Sequence, residues 1–298
     1  MRLRVGAGTD TGRVRALNED VYLLRAEEGL FVVCDGMGGC PAGEVASQMA
    51  VDAILEQLNG AAQEAPASTL AESQGYLPQT CRLAEAVRRS NRVIYTQAQK
   101  DPRQAEMGTT MVGTWISDQI ASVAHVGDSR AYLWHNDRLE PLTRDHSLVE
   151  AHVRAGLLDR ESSRQSEQQN ILVRVLGRAP EVEVELNEVP VQPGDYLLLC
   201  SDGLTRMVPE PTLAHAIFEL RDPQRICNYL IDAANGNGGA DNITVVVVEV
   251  PARWGQRMAK RWRRQPEKRH DDQTHSEVGR SSVERVCSRS NGNDRKVV

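Results

Sequence analysis

Five carboxylate-bearing stretches sit where apolar runs begin or end. LFVVCDGMGG (30–39) drives core-forming residues straight into Asp35, and YLLLCSDGL (196–204) repeats the pattern at Asp202. VGDSR (126–130) sets Asp128 beside Gly127. GGADNITVVVV (238–248) places Asp241 just before an apolar run, as RVRALNEDVYLL (13–24) does Glu19 and Asp20. An ionised carboxylate drawn toward a core is costly unless something pairs with it. Taken singly, each reads as a turn residue, because Asp-Gly is common in hairpins. Taken together, they repel one another unless cations lie among them. Oxygen ligands without His or Cys pairs favour Mg²⁺ or Mn²⁺ over zinc, and no DxDxDG loop favours calcium. Gly36, Gly127 and Gly203 adjoin three of these residues, and a glycine lets the backbone, carbonyl included, approach a ligand. A cluster of hard divalent cations points to phosphate chemistry. Two ions about 3.5–4 Å apart can share a bridging hydroxide and neutralise phosphoryl oxygens. A phosphate dianion also calls for a bidentate guanidinium. Arg15, shortly before Glu19 and Asp20, is the best-placed candidate, although a lone arginine is ordinarily a surface residue.

The elements that must position these residues are short apolar runs. VYLL (21–24), LFVVC (30–34), TTMVGTWI (109–116), IASVAHV (120–126), RAYLW (130–134), YLLLC (196–200) and ITVVVVEV (243–250) read as strands. Many are almost continuously apolar, which implies sheets covered on both faces. The short gaps between TTMVGTWI, IASVAHV and RAYLW predict a meander of antiparallel hairpins. Helices supply the cover. In residues 43–58, Val45, Ala46, Met49, Ala50, Ala53, Ile54 and Leu58 share one face. Further helices are expected from Cys81 to Gln99 and over roughly 145–155, 209–220 and 222–234. Residues 60–78 and 159–170 read as polar loops. The pattern predicts an α+β fold of antiparallel strands with helices outside.

The composition fits a globular protein, at 40% apolar and 26% charged residues. No stretch approaches the roughly 20 apolar residues of a membrane span, and the N-terminus is no signal peptide. The six cysteines form no CxxC pair, which argues against a zinc site or disulfide framework and for a reducing cytoplasm. Nucleic acid is not an expected partner. Residues 251–298 carry 13 Lys and Arg against 6 Asp and Glu, a charge of +7, whereas residues 1–250 carry −13. The chain therefore reads as a catalytic domain over 1–250 and a basic, largely disordered tail over 251–298. Within 251–265, Trp254, Met258 and Trp262 recur at helical spacing among basic residues. That stripe suits an anionic membrane surface or an acidic partner, or it folds back on the acidic body.

TDTGRVRALNEDVY, VVCDGMGG, GTTMVG, AHVGDSRAYL, LTRDHSLVE, LLLCSDGLT and GGADNITVVVV occur in an order that resembles the bacterial metal-dependent serine/threonine phosphatases of the protein phosphatase 2C family. The resemblance covers about residues 3–250. It implies a four-layer α-β-β-α sandwich of two antiparallel sheets flanked by helices. It implies Asp35 bridging two Mn²⁺ or Mg²⁺ ions, the Gly36 carbonyl as a further ligand, and Asp202 and Asp241 on the first ion. Glu19 and Asp20 would serve the second ion through waters, and Asp128 with Asp202 a third, weaker one. Arg15 would clamp the substrate phosphate, and Asn242 would position its loop. A metal-bridging hydroxide would attack phosphoserine or phosphothreonine directly. Met37 stands where many eukaryotic members carry a general-acid His, so a metal-bound water becomes the proton donor. Cys40 replaces a His common among bacterial relatives and reads as a neutral change. Residues 159–170 fall where the family carries a flap, and the flap lacks an expected His-Pro. His125 and His146 read as core or turn residues. The partners implied are phosphorylated proteins, among them a separate Ser/Thr kinase and its substrates, with the enzyme a monomer. A pseudoenzyme of the same fold would show itself by a missing metal carboxylate, and none is missing. A phosphatase dedicated to one regulator has the same sequence signature as a general antagonist of kinases.

Overall fold

The computed structural model describes residues 3–38, 42–60, 75–159 and 171–251. Gly39, Cys40, most of the 60–78 connector, the loop over 160–170 and the tail beyond 251, with its tryptophan stripe, lie outside the described residues. In chain order the elements are β1 (Arg4–Asp10), β2 (Asp20–Arg25), β3 (Leu30–Met37), α1 (Ala42–Gly60), α2 (Pro78–Ala98), β4 (Gly108–Thr109), β5 (Met111–Ser117), β6 (Ile120–Val126), β7 (Arg130–His135), β8 (Arg138–Pro141), α3 (Leu148–Arg154), β9 (Glu185–Pro190), β10 (Tyr196–Cys200), α4 (Asp202–Thr205), α5 (Glu210–Leu220), α6 (Pro223–Gly236) and β11 (Ile243–Glu249).

Two antiparallel sheets result, ordered β1-β11-β10-β7-β8 and β2-β3-β5-β6-β9, with β4 pairing β3. Alternation along each strand assigns its side chains to two different cores. In β3, Leu30, Val32 and Cys34 pack beneath the first helix pair, whereas Phe31 and Val33 enter the core between the sheets. In β11, Val245 and Val247 face the second helix group, and Val246 and Val248 face the opposite sheet. A strand buried on both faces needs no polar alternation, which is why these runs are continuously apolar. Outside, α1 packs on α2 and β3, and α6 packs on β1 and β11.

The expected meander is corrected. β5 and β6 form a hairpin, but β7 pairs with β8 and β10 in the other sheet. The VGDSR turn is thus a crossing between layers rather than a hairpin tip. Three strands escaped the sequence reading for separate reasons. β1 is glycine-rich, β8 has four residues, and β9 is a half-buried edge strand of mixed polarity. The glycines of β1 serve packing, since a Cβ at Gly6 would lie 2.3 Å from the backbone nitrogen of Gln224 at the start of α6.

Leu199 is fully buried between the two sheets. Leu199→Ala should cost roughly 2–5 kcal/mol by lost burial and a residual cavity, measured as a lower urea midpoint at unchanged slope.

Candidate active site

Every carboxylate singled out in the sequence except Asp20 lines one cleft, of about 200 Å³, at a common end of the two sheets. Asp20 lies just behind it, only 6% exposed. Asp20 opens β2, and the strand register sets it directly opposite Asp35 on β3. Paired positions project to the same face, where like charges repel. Asp202 begins α4 immediately after β10, and Asp241 lies two residues before β11, the neighbour of β10. Asp128 comes in on the turn that crosses from β6 to β7. Arg15 lines the cleft from the β1–β2 loop and donates to Asp241 Oδ2 at 2.8 Å.

Close backbone approach brings these pieces together. A Cβ at Gly36 would lie 2.2 Å from the Gly43 carbonyl oxygen, and one at Gly203 would lie 2.1 Å from that of Asn242. Only Gly127 of the three glycines also needs a left-handed backbone, with φ of +110°. Gly43 leaves room for Glu19, whose carboxylate rests against the first turn of α1, where helix polarity favours an anion. Asn242 acts on the loop, as expected. Its Oδ1 accepts from the Glu19 N–H, and its Nδ2 donates to the carbonyls of Thr11 and Leu17.

Three supporting residues were not picked out as site residues in the sequence. Thr110 fixes Asp35 through backbone and side chain, its N–H donating to the Asp35 carbonyl at 2.8 Å and its Oγ1 accepting from the Asp35 N–H at 3.1 Å. Ser201 donates to Asp20 Oδ2 at 2.8 Å. Arg206 reaches Asp128, Asp202 and Asp241. Its spacing of four residues from Asp202 was the available signal, since such residues share a helical face.

The electrostatics are strained. Burial, then Asp20, Asp202, Asp128 and Asp241, hold the Asp35 carboxyl well above its ordinary range. Burial also pushes Asp128 far upward, with Asp202 adding to the shift. Asp20 is raised to about 7, chiefly by burial and against the pull of its hydroxyl partners. Asp20 Oδ1 and Asp202 Oδ1 are buried and have no hydrogen-bond partner. Orphaned carboxylate oxygens within a repelling, oxygen-only cluster fit hard divalent cations.

A second polar cluster lies behind the Asp128 turn, where the ligand-capable atoms of His125, His146 and Glu185 converge within 4.8 Å. His146 Nδ1 accepts from the Gly127 N–H at 3.1 Å, which assigns the ring proton to Nε2, 3.0 Å from Glu185 Oε2. His125 is buried against that ring, its pKa pushed down to about 3 by burial and then by His146. With the Nδ1 lone pair committed to Gly127, His146 anchors the turn that carries Asp128. This is the turn role expected of it.

Residues 7–229 match the family model described as Protein phosphatase 2C. The chain belongs to the protein phosphatase 2C family. It is 40% identical over 245 residues to the serine/threonine phosphatase stp of Listeria innocua, covering 81% of this chain and 93% of that one. The structure of the Mycobacterium tuberculosis serine/threonine phosphatase PstP/Ppp superposes with a TM-score of 0.73 at 33% identity, over 84% of this chain and all of that one. A PstP catalytic domain in complex with 2 manganese ions matches with a TM-score of 0.71 at 34% identity, over 84% of this chain and 99% of that one. The protein is thus a phosphatase of the 2C type, with the two-sheet, helix-flanked fold of its relatives.

The crowding of acids in this phosphatase has a measurable consequence once divalent ions are removed. A carboxyl with a pKa of about 7 when folded and 3.8 when unfolded keeps its proton only in the folded state between those values. Stability from this group is therefore full below pH 4 and lost as pH rises toward 7. In chelator-treated protein, Asp20→Asn should raise the melting temperature over wild type more at pH 8 than at pH 5. Each kcal/mol of relieved repulsion reads as roughly 2–4 °C.

Proposed function

We propose that the protein is a Mn²⁺- or Mg²⁺-dependent phosphatase that hydrolyses phosphoserine and phosphothreonine in proteins by direct attack of water. The observation that carries this reading is the pair of unpartnered oxygens on Asp20 and Asp202, set among carboxylates that share a cleft with Arg15. Asp35, the Gly36 carbonyl, Asp202 and Asp241 would hold such cations, with Glu19 and Asp20 in support. When bound, two such ions supply a water acidic enough to be nucleophilic near neutral pH and positive charge for the phosphoryl oxygens.

The chain's own residues supply the rest. Thr110 and the Asp20 ladder fix Asp35 from two sides, so the carboxylate is held before substrate arrives. Arg15 spends one N–H on Asp241, is half exposed, and keeps further donors for phosphoryl oxygens. Among the described residues no Ser, Cys or His lines the cleft. Cys34 and Cys200 are buried, and burial pushes the Cys200 thiol up to about 12, so neither offers a thiolate. That disfavours a seryl, cysteinyl or histidyl phosphoenzyme and is in keeping with direct attack by water. Met37 lines the cleft and cannot donate a proton, which leaves the departing alkoxide to be protonated by water.

A separate serine/threonine kinase must make the phosphoesters that such an enzyme removes, and we assign that kinase and its substrates as partners. We assign residues 1–250 as the catalytic unit of a monomer, and the basic segment 251–265, outside the described residues, as one that suits an anionic surface, an acidic partner or the acidic body of the chain itself. Among the described residues no helix is long and apolar enough to cross a membrane.

Hydrolysis of p-nitrophenyl phosphate and of phosphoserine or phosphothreonine peptides should require added Mn²⁺ or Mg²⁺. Robust turnover by chelator-treated protein would overturn the reading. Asp35→Asn should lower kcat on the order of 10²-fold, the scale at which loss of one charge-stabilising group costs turnover. Arg15→Ala should cost roughly 1.5–3 kcal/mol of substrate binding, seen mainly in KM.

A further inference from the structure

The two oxygens of Asp202 have different neighbours. Oδ1 is buried and unpartnered, whereas Oδ2 pairs with Arg206 Nη2. The same Nη2 lies 3.4 Å from Asp128 Oδ2, and Nη1 lies 3.8 Å from Asp241 Oδ2. One guanidinium therefore bridges Asp128 and Asp202. The backbone fixes this placement, because the Arg206 N–H donates to the Asp202 carbonyl at 2.9 Å and closes a helical turn. The side chain must then rise on the same face as Asp202. A guanidinium stays charged at every accessible pH, and its planar fork suits two carboxylates at once.

We propose that Arg206 is a resident counter-cation between Asp128 and Asp202 and limits this phosphatase to two divalent ions. The proposal rests on the two-cation reading above and departs from the third, weaker ion that the family resemblance implied at these two carboxylates. A divalent ion between Asp128 and Asp202 must displace a permanent positive charge and leave it nearby, so the arginine competes with it directly. Asp202 Oδ1, which Arg206 does not touch, stays available to the main pair of ions. Asp128 thereby changes role, from a ligand to the partner that holds Arg206 in place. The arginine also offsets repulsion within the cluster when divalent ions are scarce.

Calorimetric titration of the chelator-treated full chain with Mn²⁺ alone tests the count. Wild type should bind two ions, and Asp128→Asn should leave that number unchanged. Arg206→Gln should gain a third, weaker binding phase that disappears in the Arg206→Gln/Asp128→Asn double variant, while Arg206→Lys, which keeps the charge, should stay at two. Thermal melting in chelator gives a second readout independent of activity. Arg206→Gln should melt below wild type, and Arg206→Lys should recover part of the loss. Three ions on wild type with the third lost in Asp128→Asn, two ions on Arg206→Gln, or unchanged melting of Arg206→Gln in chelator would each overturn the proposal alone. A wild type that binds no Mn²⁺ at all would overturn the two-cation reading and this proposal with it.

Discussion

Mutual repulsion among carboxylates held at one end of two sheets is the constraint around which this structure is organised. The strand ladder places Asp20 opposite Asp35, and Asp128, Asp202 and Asp241 arrive beside them from the other sheet and the crossing turn. Such an arrangement weakens an isolated domain, because each buried acid raises the cost of ionising its neighbours. The surrounding polar groups share the load. Ser201 serves Asp20, Thr110 serves the backbone of Asp35, and two arginines flank Asp241. What they leave unmet, two orphaned oxygens, is the feature a cation completes.

The sandwich makes this cluster tolerable. Three apolar cores, two under the helices and one between the sheets, lie behind a single polar end. Glycines at 36 and 203 let separate backbones meet at distances that a side chain would forbid. Asn242 and His146 fasten the loops whose geometry matters, one holding the Arg15–Glu19 segment and the other the Asp128 turn. Both act through backbone groups, so they set where the acids stand without lining the cleft themselves.

Much of this was legible in the sequence because two signals are local. Apolar runs that end in an acid mark both a strand and its functional end, and LFVVCDG and YLLLCSDG carry that signal within a few residues. The helix faces were equally plain, as in Val45, Ala46, Met49 and Ala50. What was hidden depends on long-range partners. Nothing within RAYLW says that β7 leaves the sheet of β6, since either sheet can accept an apolar strand. β9 is too polar to stand out, and β1 is glycine-rich for the sake of a helix more than 200 residues away. Arg206 was overlooked because a surface arginine and one bridging two acids look alike until Asp128 and Asp202 are seen together.

The Asn242 staple ties the assembly of the site to the order of the chain. Its side chain joins the start of the last strand to a loop near residue 15, and β11 is also the strand that pairs with β1. In the folded chain the segment carrying the acids at 19 and 20 is thus tied to the one carrying Asp241 by groups from both ends of the fold. All of these acids precede β11 in the chain, so what the last strand adds is the pairing with β1 that draws their loops together. The cleft is thus a property of the closed sheet and of no single segment of the chain.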